Sequence, residues 1–206
     1  MKIYVIGDSI SIQYGPYLKK YLDGVIEYSR KEGEDEALLN LDNPVGANGG
    51  DSSMVLSFLK AKSKAGWIDA DMILLNCGLH DIKTDPKTGR KQVPLEDYKK
   101  NLKKIVALLA KMKTKLAWIR TTPCDEKVHN SRPKMEFHRF SADCRAYNEA
   151  ADRIMKASKI PMIDLNTFTA NLGDAPYCDH VHFHEHIREK QAAFIAGWLY
   201  NFPAEN

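Results

Sequence analysis

The residues able to do chemistry stand in short stretches far apart in the chain. Near the start lies Gly7-Asp8-Ser9-Ile10. A serine that follows a short β-branched run and precedes a helical one sits in a strand-to-helix turn. There the partial positive charge and unpaired N–H groups of the helix can stabilise an oxyanion. Near the end lies Cys178-Asp179-His180-Val181-His182-Phe183-His184-Glu185-His186. Asp179 and His182 are three apart in a loop, so the carboxylate can hold one imidazole nitrogen while the other faces a serine hydroxyl. That is the arrangement in which histidine acts first as base and then as acid. Neither stretch is specific alone, because Gly, Asp and Ser are ordinary turn residues and a DxxH spacing also suits a surface loop. The alternating His180, His182, His184 and His186 suit a metal if extended. His182 already has a role, however, and His184 to His186 run into a helix where alternation fails. No metal and no cofactor are expected.

Elements of regular spacing place these stretches. A strand over residues 3–6 ends at Gly7, and Tyr17, Leu18 and Tyr21 continue at helical spacing. A second strand is expected over 25–28, followed by a charged connector over 30–43. The glycine-rich turn 44–52 leads to a helix over 54–64. The nearly continuous apolar run 72–77 reads as a strand covered on both faces, and it ends at Gly78-Leu79-His80-Asp81. Leu95, Tyr98, Leu102, Ile105, Leu109 and Met112 mark the most regular helix. A fourth strand over 116–119 closes at Thr121-Thr122-Pro123, and a basic insert follows over 124–139. A helix over 141–157, a fifth strand over 161–165 and a last helix over 187–200 complete the series. Strand and helix alternate without repeats or a linker. The expectation is one α/β domain over 1–206, in three layers (α/β/α), around a five-stranded parallel sheet. Ligands bind such sheets at the carboxyl ends of the strands, where Ser9, Gly50, His80 and the Thr122 turn fall.

Composition narrows the partners. With 206 residues and 44% hydrophobic content, the chain is an ordinary globular protein with a substantial core. A net charge of +3 is too small to argue for nucleic acid, and its lysines fall on helix faces. There is no run of 18 apolar residues, so no membrane span is expected. The first strand starts at residue 3, which leaves no room for a signal peptide. The expected location is cytoplasmic, or else this is a processed secreted form. Cys77, Cys124, Cys144 and Cys178 show no metal spacing and read mostly as buried thiols. A disulfide between Cys124 and Cys178 near the site stays open.

In this order the stretches resemble the blocks of the SGNH (GDSL-type) hydrolases, and the resemblance covers the whole chain. Gly7-Asp8-Ser9-Ile10 matches the first block, Gly50-Asp51-Ser52 the second and Asp179-x-x-His182 the last. The resemblance implies a flavodoxin-like sheet and ester hydrolysis by Ser9, His182 and Asp179. It also implies oxyanion donors at the Ser9 and Gly50 N–H groups, with Gly46 and Gly49 as nearby competitors. The third block departs from the family's Gly-x-Asn-Asp, since Gly78-Leu79-His80-Asp81 has histidine where the donor amide belongs. His80 can donate an N–H instead, can bind substrate in a modified site, or can mark weakened catalysis. If it titrates, it adds a second pH dependence near neutrality. Asp8, Asp81 and Arg139 are candidates for the substrate side. The insert with Arg132, His138 and Arg139 suits an acidic or sugar-like substrate, or is a solvated loop. The expected substrate is an acetyl or other small acyl ester of a carbohydrate or related polar molecule. A thioesterase, a lysophospholipase and a catalytically weakened binding protein remain alternatives. Oligomeric state has no mark in the sequence.

Overall fold

A computed structural model describes residues 1–132 and 136–202. Its centre is a five-stranded sheet in the order β2-β1-β3-β4-β5, with every neighbouring pair parallel. The strands are β1 (Lys2–Ile6), β2 (Glu27–Arg30), β3 (Met72–Leu75), β4 (Lys115–Ile119) and β5 (Met162–Ile163). β3 lies between β1 and β4 and is buried along its whole length, which explains its unbroken apolar sequence. From β1 the chain goes first to one side of the sheet and then to the other. The order therefore reverses between β1 and β3, the position at whose carboxyl ends such sheets take ligands. Ser9 follows β1, and His80 follows β3.

Helices cover the sheet in two groups. In the first, α1 (Ser9–Leu22) packs on α8 (Glu185–Tyr200), and α7 (Leu165–Ala170) packs on α8. In the second, α4 (Leu95–Lys111) lies between α3 (Ser52–Ala65) and α6 (Ser141–Ala157). The expected stripe on α4 is the one buried, through Tyr98, Leu102, Ile105 and Leu109. Each such side chain contributes about 1.5–3 kcal/mol by leaving water. Trp118 on β4 is among the largest fully buried side chains of the core.

Several boundaries differ from the sequence reading. β2 begins at Glu27, two residues later than expected, and Val25 is exposed in the turn before it. As an edge strand, β2 pairs only with β1 and needs no continuous apolar run. Its buried residue is Arg30, whose guanidinium donates to the Ser11 carbonyl at 3.0 Å and to Ser11 Oγ at 3.2 Å. The charged connector holds a short helix, α2 (Glu34–Leu39), and the insert holds another, α5 (Glu126–Asn130). β5 is cut to two residues because Asp164 caps α7, accepting from Thr167 N at 3.0 Å. All four cysteines are free. Cys178 is exposed, whereas the buried Cys124 has Cys144 as its hydrogen-bonding neighbour. No helix among the described residues is long and apolar enough to cross a membrane.

Candidate active site

Ser9 is the first residue of α1. Asp8 caps that helix, its Oδ1 accepting from Ile10 N at 3.0 Å. The turn presents the Ser9 hydroxyl to His182, with Oγ to Nε2 at 2.8 Å. On the other side of the ring, His182 Nδ1 lies 2.7 Å from Asp179 Oδ2. The carboxylate fixes the tautomer: Nδ1–H donates to Asp179, and Nε2 is left to accept from the Ser9 hydroxyl. Asp179 Oδ1 also accepts from Val181 N at 2.8 Å and from His182 N at 2.7 Å. Partial burial opposes ionisation of Asp179, yet these donors hold its carboxyl well below the usual range. The loop carrying the pair is tied down by Cys178 N to the His182 carbonyl at 2.8 Å and by the buried Phe183, which stacks on Tyr177. The three residues named from sequence thus form one connected chain across 173 residues of separation.

The second and third blocks meet beside Ser9. Asp81 is fully buried, and both its oxygens accept from Ser52 N, at 3.0 and 3.1 Å, at the start of α3. That bond joins the turn after β3 to the glycine-rich turn. Gly50 has φ +67°, a left-handed conformation that favours glycine, and a Cβ there would collide with Pro44 and Met54. Gly49 N is spent on the Gly7 carbonyl at 2.8 Å, and Gly46 packs against Gly33 and Glu36. Gly50 N donates to the side-chain oxygen of Asn48 at 3.0 Å. Sequence reasoning passed over Asn48, since an asparagine in a glycine-rich turn carries no distinctive pattern.

His80 is buried, and no hydrogen bond to its ring is formed among the described residues. Burial first, then the cations Lys83 and Arg139, push its pKa well below the usual value. The ring is therefore neutral near pH 7 and still carries one N–H. This removes the expectation of a second titration near neutrality.

Asp8, Asp81 and Arg139 lie beneath the site. Asp8 and Asp81 serve the helix starts described above. Arg139 is buried, its Nε donating to the Leu79 carbonyl at 2.8 Å, one residue before His80. Residues 133–135 of the insert lie outside the described residues, and the rest of it is tied down. His138 and Thr84 exchange backbone bonds of 2.8 Å, and Asn130 and Arg139 are cross-linked by Asn130 Oδ1 and Nδ2. Arg139 thus clamps the insert onto the third block.

A second carboxylate–imidazole pair stands beside the first. His180 Nε2 lies 3.0 Å from Asp42 Oδ2, and His180 Nδ1 lies 2.9 Å from His129 Nδ1. His129 Nε2 faces the Phe137 carbonyl at 3.3 Å, and Arg139 Nη1 faces His129 Nδ1 at 3.4 Å. The shorter of the two contacts at His129 Nδ1 is the one from His180. With His129 Nε2 donating to the Phe137 carbonyl, its Nδ1 is left to accept from His180 Nδ1, and His180 Nε2 faces the Asp42 carboxylate. Burial above all, aided by Arg139 and His180, lowers the His129 pKa to about 4. Asp42 and His129 were not singled out in the sequence, because single residues in a charged connector and a basic insert show no spacing to each other.

Comparison with known proteins bears on the fold. No family model matches the sequence, and no curated protein does. Solved structures do match over nearly the whole chain. An acetyl xylan esterase, AlAXEase, superposes with a TM-score of 0.70 at 15% identity, covering 98% of this chain and 100% of its own. A member of the lipolytic protein G-D-S-L family from Veillonella parvula gives 0.66 at 17% identity, covering 98% and 100%. Est24, a carbohydrate acetylesterase from Sinorhizobium meliloti, gives 0.64 at 13% identity, covering 97% and 98%. The fold is the SGNH hydrolase fold. At such identities the likeness is one of fold, and the chemistry has to be argued from the residues.

Proposed function

We propose that the protein is a serine ester hydrolase that removes acetyl or other small acyl groups from a carbohydrate or related polar substrate. The observation that carries this reading is the unbroken chain from Ser9 Oγ to His182 Nε2 and from His182 Nδ1 to Asp179, at 2.8 and 2.7 Å. Ser9 gives its proton to His182 Nε2 as Oγ bonds to the ester carbonyl carbon. Negative charge then develops on the carbonyl oxygen. The Ser9 N–H, the Gly50 N–H and the neutral His80 N–H are the donors for it. Gly50 N–H is held only by the Asn48 side chain, so it can turn to an oxyanion without breaking a backbone bond. His182 next gives its proton to the departing alcohol. A water, deprotonated by the same nitrogen, cleaves the acyl-enzyme to carboxylate and free Ser9.

The sugar-type substrate is supported by the esterases that share the fold, two of which act on acetylated carbohydrate by name. Hydrolysis of p-nitrophenyl acetate, lost in Ser9→Ala, tests the reaction. A panel of acetylated sugars, thioesters and lysophospholipids tests the substrate class. Inactivity of the wild type across the whole panel would instead favour a ligand-binding protein weakened at His80.

A further inference from the structure

We propose that Asp42, His180 and His182 bind a borderline divalent metal ion of the zinc type, and that the bound ion switches hydrolysis off. One carboxylate oxygen of Asp42 and one ring nitrogen from each histidine lie within 4.8 Å of one another. Donors on a tetrahedral ion with bonds of about 2.1 Å stand about 3.4 Å apart. The Asp42–His180 edge, at 3.0 Å, is already that short, and the His182 nitrogen lies within 4.8 Å of both. Two imidazoles and one carboxylate suit zinc, cobalt or nickel, whereas magnesium and calcium require a mostly oxygen set.

The surrounding bonds fit a metal site equally well. Histidines that bind metal nearly always have the other ring nitrogen held by a partner, which fixes the ring. Both histidines here are held in this way. His182 Nδ1 donates to Asp179 at 2.7 Å, and His180 Nδ1 donates to His129 at 2.9 Å. The nitrogens that would face an ion are His182 Nε2, which here meets Ser9, and His180 Nε2, which here meets Asp42. An approach also exists, since the Asp42 side chain is 43% exposed while both imidazoles are buried. The ion takes the place of the proton shared between His180 Nε2 and Asp42 Oδ2, which leaves to solvent, and accepts the lone pair of His182 Nε2. That lone pair is the one that takes the Ser9 proton. A metal on it leaves the serine without a base, so occupancy and turnover exclude each other. The inhibition rests on the serine-hydrolase reading; the binding does not.

The test is calorimetric titration of zinc chloride into chelator-stripped Ser9→Ala protein, which needs no activity. One saturable site is expected. Asp42→Asn, His180→Gln and His182→Gln should each weaken it by more than the roughly 10- to 100-fold that loss of an outer partner costs. His184→Gln with His186→Gln, at the stacked pair outside this cluster, should leave it unchanged. Far-ultraviolet circular dichroism establishes that each variant is folded. In the wild type, zinc should inhibit p-nitrophenyl acetate hydrolysis at the concentrations that fill the site. EDTA should reverse the inhibition, and magnesium should have no effect. The absence of a saturable site, or binding that survives His182→Gln or depends on His184 and His186, would overturn the site. Zinc that binds there and raises turnover would overturn the inhibition.

Discussion

Two carboxylate–imidazole pairs stand side by side in this protein, and they end differently. Asp179–His182 ends on the Ser9 hydroxyl, and Asp42–His180 ends on a second imidazole, His129. In the first chain one carboxylate meets one imidazole N–H, and the remaining lone pair faces a proton it can accept. In the second both nitrogens of His180 are taken up by Asp42 and His129, so neither faces a hydroxyl. An Asp–His pair is thus not in itself a catalytic device. The group beyond the imidazole decides whether the ring can take a proton.

The largest expected effect comes from cutting the first chain. Ser9→Ala and His182→Ala should each lower turnover by about 10⁴-fold or more, and the double variant should be no slower than either single one. The measurement is kcat on p-nitrophenyl acetate with melting curves alongside. Strictly additive losses would mean that the two residues do not act as a unit.

Making the same substitution in both chains sharpens the contrast. Asp179→Asn puts an amide where an acceptor is needed. It should hold the wrong tautomer of His182 and cost about 10⁴-fold in kcat, as in other serine triads. Asp42→Asn should cost less than about tenfold, the change that about 1.4 kcal/mol of barrier brings. Equal losses at the two positions would erase the distinction drawn here. Backbone support for the His182 ring would make the loss at Asp179 milder. The backbone bonds of this loop, from Val181 N and His182 N, run to Asp179 itself.

His80 comes next. If its N–H meets the developing oxyanion, His80→Ala should lower kcat by about 100- to 1000-fold with little change in KM. His80→Asn should recover part of that loss. Because burial keeps the ring neutral, the pH–rate profile should show no limb from His80 near neutrality. Full activity of His80→Ala would place the residue outside the oxyanion site.

The parts of this arrangement legible in the sequence were those with local periodicity or a local motif. β3 could be read because a strand buried on both faces is apolar throughout, and α4 because its buried stripe recurs at three and four. Ser9, Asp179 and His182 could be read because each stands in a short motif at an element boundary. β2 was misplaced by two residues because an edge strand shows no such run. α2, α5 and α7 were missed because helices of five or six residues offer too few turns for a period. The second chain was invisible for a different reason. Asp42 and His180 are 138 residues apart, and only the sheet order brings them together.

The smallest expected effect separates the two imidazoles at the end of that second chain. His129 and His180 face each other across 2.9 Å, so both cannot carry charge without strong repulsion. His180 is paired with Asp42, while His129 faces the Arg139 guanidinium, the Phe137 carbonyl and His180 itself. Burial, then Arg139 and His180, lower the pKa of His129 in the folded protein to about 4, against about 6.5 in the unfolded chain. The unfolded state therefore takes up the proton first on acidification. The stability from neutral His129 is fully present above about pH 6.5 and is lost as pH falls towards 4. Melting temperatures measured between those limits should fall less steeply in His129→Gln than in the wild type, whatever the offset from lost packing. Parallel slopes would mean that His129 titrates alike in both states.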